Sequence, residues 1–298
     1  MSYRSYVPSS LDKKDLHQLI IGAVSPRPIA FVSSINAKGQ SNLAPYSFFN
    51  AISSNPPLLV FSISNIKARD NKLSKDTLTN LKEVPQCTIN VVNHNIHRQM
   101  SLCSVAFPYG TSEFEKSGLK MLPSELVKAP RVADSPVQFE CTVDNIIEFG
   151  KQEGAANLVV CSIKKIHIKT DTMMKDKVRI DTQKLDAVGR LGRSNYVSVK
   201  GKQVFSAYQP VYASCLGYDK LPLSIRESKT LFQNEIALIA SCGKLPSMGS
   251  VKSYVDNYQV KLGQDLAFYH SIAAVLLRQN KKEEALIWCM IPEYNNSF

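Results

Sequence analysis

The stretch from Ser25 to Ser64 constrains the fold more than any other part of this chain. It reads SPRPIAFVSS, then INAKGQ, then SNLAPYSFFNAISSNPPLLVFSIS. Two apolar runs, 29–35 and 58–64, are bounded by Gly, Pro and Asn and read as β-strands. NAKGQ (36–40) supplies a turn, and a further short strand is expected over 48–52 before the SSNPP break. Between the two apolar runs stand Ser41, Asn42, Ser47, Asn50, Ser53, Ser54 and Asn55, close to Phe48 and Phe49. A planar polar ligand with a phosphate tail needs a lining of this kind. By pattern alone, a polar inter-strand loop is the plainer reading.

The rest of the first two hundred residues mixes strands with irregularly placed helices. A helix is expected over 9–22 with Ser10 as its cap, and Pro26 and Pro28 then force extended backbone. The segment from Asp76 to Val84 reads as a helix. Lys75, Asp76 and Thr77 stand at its start, where backbone N–H groups and the helix dipole favour an anion. Residues 87–92 form a β-branched buried strand, and 94–104 a helix. The segments 137–149 and 157–168 are long strands joined by KQEGAA as a hairpin. Helices that do not alternate with strands argue for an antiparallel barrel over a doubly wound parallel sheet. After Pro210 the pattern turns helical, over 224–242 and 264–280, with Leu266, Tyr269, His270, Ala273, Ala274 and Leu277 on one apolar face. ALIWCMI near the end reads as a buried strand or helix end, and no internal repeat is evident.

Composition narrows the class. Of 298 residues, 44% are hydrophobic and 20% charged, which provides for a packed core and argues against global disorder. No apolar run approaches the ~20 residues of a transmembrane helix, and MSYRSYVPSS lacks a signal-peptide core. A soluble, cytoplasmic protein with no membrane association is the expectation. The seven cysteines are scattered, and no two form a CxxC, as fits buried free thiols rather than a disulfide framework or zinc site. Net charge is +11, but no aromatic–basic motif points to nucleic acid. Lys67, Arg69, Lys72 and Lys75 form the densest basic cluster, either a solvated loop or a rim that attracts phosphate. His94 and His97 have helical ligand spacing but no nearby third ligand, so no metal site is assigned. GRLG (189–192) lacks the GxGxxG pattern of a dinucleotide loop, and no serine sits in a GxSxG elbow.

Several blocks, taken together, resemble a known family. RPIAFVSS, NLAPYSFFNAISSNPP, SKDTLTNLKE (74–83), FPYGTSEFEKSGL (107–119), APRVADSPVQFEC (129–141) and RLGRSNY (190–196) occur in order over roughly 16–204. In this they resemble the flavin reductase-like FMN-binding split β-barrel family, in its flavoredoxin-like branch. The resemblance implies a Greek-key split barrel over 1–209; the block after about Pro210 lies outside the minimal family domain, and the residue pattern makes 210–298 a mostly helical C-terminal extension, expected to pack on the barrel. The resemblance also implies FMN as cofactor. Pro45, Tyr46 and Ser47 would meet the pyrimidine edge of the flavin, Phe49 would pack near the ring, and Asn50 would lie near the ribityl-phosphate. Ser62 would approach from the neighbouring strand. Lys75, Asp76 and Thr77 match the family's phosphate-side KDT, and Arg27 the arginine of its SRP motif.

The activity so implied is an NAD(P)H-dependent flavin reductase, with flavin and nicotinamide as small-molecule substrates and a homodimer as the assembly. Hydride transfer to a flavin needs no acid–base side chain, so none is nominated as catalytic. Two alternatives stand beside it. One is a flavoprotein that holds FMN tightly and transfers electrons with a protein partner; the other is a flavin-binding module without turnover. The appended helices carry apolar faces that look too few for a sizeable core of their own.

Overall fold

The computed structural model describes residues 2–66, 74–205 and 215–295. The chain divides into two compact units, Met1–Phe205 and Ser206–Phe298. The first contains α1 (Lys13–Ala23), β1 (Ala30–Ile35), β2 (Ser41–Tyr46), β3 (Phe49–Ser54), β4 (Pro57–Ser64), α2 (Asp76–Glu83) and β5 (Gln86–Val91). There follow α3 (His97–Leu102), α4 (Glu113–Ser117), β6 (Met121–Leu122), β7 (Arg131–Val132), β8 (Val137–Glu148) and β9 (Ala156–Ile168). The short elements α5 (Thr182–Leu185), β10 (Val188–Arg190) and β11 (Tyr196–Ser198) complete it.

Seven strands form one antiparallel sheet in the order β2-β1-β5-β8-β9-β4-β3. Its two end strands are neighbours in sequence, since Tyr46 closes β2 and Phe49 opens β3. Three Cα steps span at most about 11 Å. A flat sheet of this width would separate its end strands by roughly 29 Å at about 4.8 Å per strand. The sheet must therefore curl until its ends meet, and the gap between β2 and β3 is the split of the barrel. Tyr46 and Phe61, from β2 and β4, accordingly lie with ring centroids 5.5 Å apart. Along the long β8–β9 hairpin, the register shift between Glu140 and Cys141 leaves Lys164 of β9 as the extra residue, and the shift between Val143 and Asn145 leaves Asp144 of β8. Bulges sharpen bend and twist, which barrel closure needs.

Alternation along β1 shows both sides of the wall. Ala30 and Val32 join the barrel core with Tyr46, Phe61, Ile89, Cys141 and Val159. Phe31, with Ile29, joins an outer layer containing Leu43, Met100, Phe114 and Val132. All six residues of β1 are buried, as two covered faces require. The connection from β4 to β5 carries α2, which packs on β1 and β2. Leu78 and Leu81 of α2 enter the barrel core. Asn80 Nδ2 donates to Ser34 Oγ at 3.1 Å, and Asn42 Nδ2 to Thr77 Oγ1 at 2.8 Å. The helix is thus fixed both by apolar burial and by paired polar groups, and its N-terminus is held beside β2.

Differences from the sequence expectations are local. Asp12, not Ser10, caps α1, its carboxylate accepting from Lys14 N–H at 2.9 Å. The segment 41–46, read as a polar loop, is strand β2: its polar residues alternate on a wall buried from both sides. The helix expected over 94–104 contains a 3-10 turn, His94–Ile96, before α3.

The second unit contains α6 (Leu223–Arg226), α7 (Gln233–Ala240), α8 (Met248–Tyr258), α9 (Leu266–Arg278) and α10 (Lys282–Asn295). The single helix expected over 224–242 is broken at 227–232, where Ser228 Oγ accepts from the N–H groups of Thr230 and Leu231. Five residues of the α9 face are buried as expected, while Leu266 is exposed. ALIWCMI is helical, within α10. Contrary to the expectation of too few apolar faces, the unit gathers a buried cluster of its own, including Ile225, Ile236, Val251, Tyr269, Ala273, Ala285 and Cys289. Pro210 lies outside the described residues. Among those described, no helix is long and apolar enough to cross a membrane, and no three metal-ligating side chains gather as a site.

Candidate functional site

A cavity of about 590 Å³ opens in the first unit between β2, the start of α2 and the chain that leads from α3 into α4. Ligand pockets of small cofactors fall in this range of roughly 300–1,000 Å³. Its walls are Asn42, Pro45 and Tyr46 from β2, 74–77 from the α2 start, and 103–109 with Glu113 from the far side.

The α2 end is built for an anion. Lys75 occupies the N-cap position in extended conformation, and no side chain caps the helix. The first-turn N–H groups and the positive dipole end therefore face this cavity wall. Lys75 Nζ stands 5.4 Å from the Tyr46 ring centroid. Burial lowers the pKa of its ammonium below the ordinary lysine value. Among the described residues no carboxylate forms an ion pair with it. A desolvated cation without a protein counter-ion gains most from an anionic ligand.

One buried hydroxyl in the cavity wall points the same way, and a second lies unpaired outside the wall. Tyr46 is 5% exposed, and its hydroxyl has the Thr77 hydroxyl as a neighbour but no partner in hydrogen-bonding geometry. Burial raises its phenol well above the usual value, so it is a donor, never a phenolate. Ser62 Oγ, on β4, is buried and likewise without a partner. Unpaired buried polar groups are uncommon and call for an explanation, of which a missing ligand is one.

Across the cavity, Glu113 is buried, and its Oε2 accepts from Leu43 N–H at 2.8 Å. Burial raises its carboxyl pKa, the Leu43 bond opposes that shift, and Asp76 adds to it. Cys103 also lines the cavity; burial pushes its thiol to about 11, leaving it protonated and unreactive.

Of the ten residues picked from sequence, Pro45, Tyr46, Lys75, Asp76 and Thr77 come together in this wall. Ser47 sits half-buried at the β2–β3 corner. Phe49 packs against the barrel core, and exposed Asn50 accepts from Ala51 N–H at 2.9 Å. Ser62 lies on β4, its N–H bonded to Phe48 O at 2.9 Å. Arg27 is spent on main-chain carbonyls: Nη1 donates to Ile21 O and Val24 O at 2.6 and 2.7 Å, and Nη2 to Leu191 O at 3.1 Å. A cation at the last carbonyls of α1 is a helix C-cap, which accounts for Arg27 within the fold. Burial, and then the neighbouring Arg190, lower its pKa. Lys67, Arg69 and Lys72 of the basic cluster lie outside the described residues.

Sequence reasoning named Asn42 only among the polar residues of the inter-strand stretch, and it passed over Cys103 and Glu113 as lining residues. The block 107–119 carried a signal for Glu113, but that a glutamate opening a short helix would turn inward could not be read from spacing.

The first unit is a split antiparallel barrel in which α2, on the β4–β5 connection, presents its N-terminus to a cavity. Residues 22–179 match the flavin reductase like domain, and the chain belongs to that family. It is 34% identical over 198 residues to an uncharacterized protein of Aquifex aeolicus, covering 66% of this chain and 96% of that one. Nitrilotriacetate monooxygenase component B from Bacillus cereus superimposes with a TM-score of 0.63 at 27% identity, over 70% of this chain and 99% of that one. The 2-nitrobenzoate 2-nitroreductase NbaA of Pseudomonas fluorescens gives 0.62 at 32% identity, over 71% and 99%.

Proposed function

We propose that this chain is an NAD(P)H-dependent, FMN-binding oxidoreductase of the flavin reductase type. The observation that carries the reading is Lys75: a buried ammonium at an uncapped helix N-terminus, inside the cavity, with no ion-paired carboxylate among the described residues. The residues fit a flavin mononucleotide. Lys75 and the α2 N-terminus would hold the phosphate, with Thr77 beside them. The unpaired Tyr46 hydroxyl would donate to the ligand, and Pro45 would shape the wall it lies on. FMN, when bound, supplies hydride and single-electron chemistry, and the protein supplies placement and electrostatics. The buried walls of the cavity exclude water from one side of the ligand, and its open mouth leaves room for a planar second substrate.

The family assignment, and the solved structures of a monooxygenase component and a nitroreductase, support redox use of the site. A homodimer belongs to the same proposal. It is supported by exposed apolar side chains on α1 (Leu19, Ile20) and on and just before β3 (Phe48, Ile52), with His17 6.5 Å from the Phe48 ring centroid. Cytoplasmic location is proposed with it.

The test is anaerobic titration of the FMN-loaded protein with NADH and with NADPH. Stoichiometric bleaching of the flavin absorbance by either is expected. No bleaching by either donor, with rapid reduction by a protein electron carrier, would replace the reductase by an electron-transfer flavoprotein.

A further inference from the structure

The cavity holds one polar group that phosphate recognition leaves unused. Glu113 is 6% exposed and lines the cavity opposite α2. One of its carboxylate oxygens is committed, since Oε2 accepts from Leu43 N–H on the outward edge of β2. Glu113's own backbone N–H also bonds the carboxylate, and among the described residues no side chain donates to it. No lysine, arginine or histidine pairs with Glu113 among the described residues.

A buried acceptor of this kind selects for donors. As a carboxylate it repels phosphate. The part of a ligand that meets Glu113 must therefore be neutral and able to donate. A hydroxyl suits it in either protonation state, donating to the carboxylate or accepting from the acid. Tyr46, whose buried hydroxyl has no partner, lines the same cavity as Glu113. In a nucleotide whose phosphate lies at Lys75, the hydroxyl-bearing segment next to the phosphate is the sugar-alcohol chain.

Resting on the flavin reading above, we propose that Glu113 is a specificity residue for the polyol, its carboxylate hydrogen-bonding a ribityl hydroxyl. It fixes the direction of the ligand, with the phosphate toward α2 and the hydroxyls toward α4. It also discriminates flavins with a ribityl chain from those without.

The experiment compares parent and Glu113→Gln by fluorescence titration with FMN, riboflavin and lumiflavin, which keeps the ring but lacks the ribityl chain. The amide oxygen of Gln still accepts from Leu43 N–H, so the fold is retained, as an unchanged melting temperature will verify. Loss of a charge-assisted bond weakens FMN and riboflavin by the same factor, roughly tenfold, and leaves lumiflavin unchanged. An equal loss for lumiflavin would move the contact to the ring and overturn the proposal. So would riboflavin affinity that does not change. If the parent binds none of the three, the flavin reading itself fails and this proposal with it. If the parent binds all three and the variant alters none, only this proposal fails.

Discussion

Replacing Lys75 by methionine isolates the phosphate end of the site. Methionine keeps an unbranched apolar stem against the Tyr46 ring and removes only the ammonium. In the free protein that ammonium is buried and its charge disfavoured, so its removal costs no ion pair seen among the described residues. The melting temperature of the apoprotein is therefore expected to hold or rise. With FMN bound, the lost interaction is a charge-assisted hydrogen bond to phosphate, worth roughly 1.5–3 kcal/mol. That is about one to two decades in dissociation constant. The helix N-terminus, worth about 0.3–1 kcal/mol toward an anion, remains and preserves residual selectivity. Quenching of flavin fluorescence measures both ligands in one assay. FMN should weaken ten- to hundredfold by this arithmetic, and riboflavin, lacking the phosphate, should not. Equal weakening of the two would show that Lys75 supports the ring or the cavity wall, and the phosphate assignment would be wrong.

Three further outcomes follow from the same geometry. Because burial depresses the Lys75 pKa, the free protein loses this proton at a pH below the ordinary value of about 10.4. FMN affinity should therefore fall as pH rises through that alkaline window while riboflavin affinity stays level, and a flat FMN profile would contradict the assignment. Tyr46→Phe removes a buried hydroxyl that has no hydrogen bond in the free protein, so apoprotein stability should not fall, while flavin affinity drops by about 0.5–1.5 kcal/mol of hydrogen bond; unchanged binding would mean that the hydroxyl does not meet the ligand. A chain ended after Phe205 retains every residue of the candidate site and spans the segment that matches nearly the whole of the Aquifex relative. It should fold and bind FMN by gel filtration and absorbance, whereas an insoluble or flavin-free product would show that the barrel depends on the helical extension.

The barrel was legible because strand signals are local. Alternating or β-branched runs at 29–35, 58–64, 87–92, 137–149 and 157–168 all became strands within a residue or two. Strand β2 was not legible. Ser41, Asn42 and Pro45 look like loop residues, and only the partners that bury them, Thr77 and the outer apolar layer, make them wall. The same limit hid Glu113, whose value depends on reaching Leu43 N–H across 70 positions of sequence. It also hid Glu140, a fully buried carboxylate that accepts from the N–H groups of Glu125, Leu126 and Val127. In the second unit, α8 was passed over although Val251 and Val255 stand one turn apart on its buried face, and the break at 227–232 depends on the Ser228 hydroxyl turning back to cap the chain. At the site, 75–77 were legible as a helix start, and they do line the cavity. Arg27 was ambiguous, because an arginine beside a proline looks the same whether it meets a phosphate or a helix end; here Nη1 and Nη2 bond main-chain carbonyls while Nε is buried without a partner.

The central claim is that the cavity between β2, α2 and α4 holds a flavin with its phosphate on the α2 N-terminus. A crystal structure of the protein with FMN bound tests it directly. The account predicts phosphate oxygens within about 3 Å of Lys75 Nζ and of first-turn N–H groups of α2, with a ribityl hydroxyl on Glu113. FMN bound elsewhere on the barrel, or bound here with its ring at Lys75 and its phosphate in solvent, would contradict it.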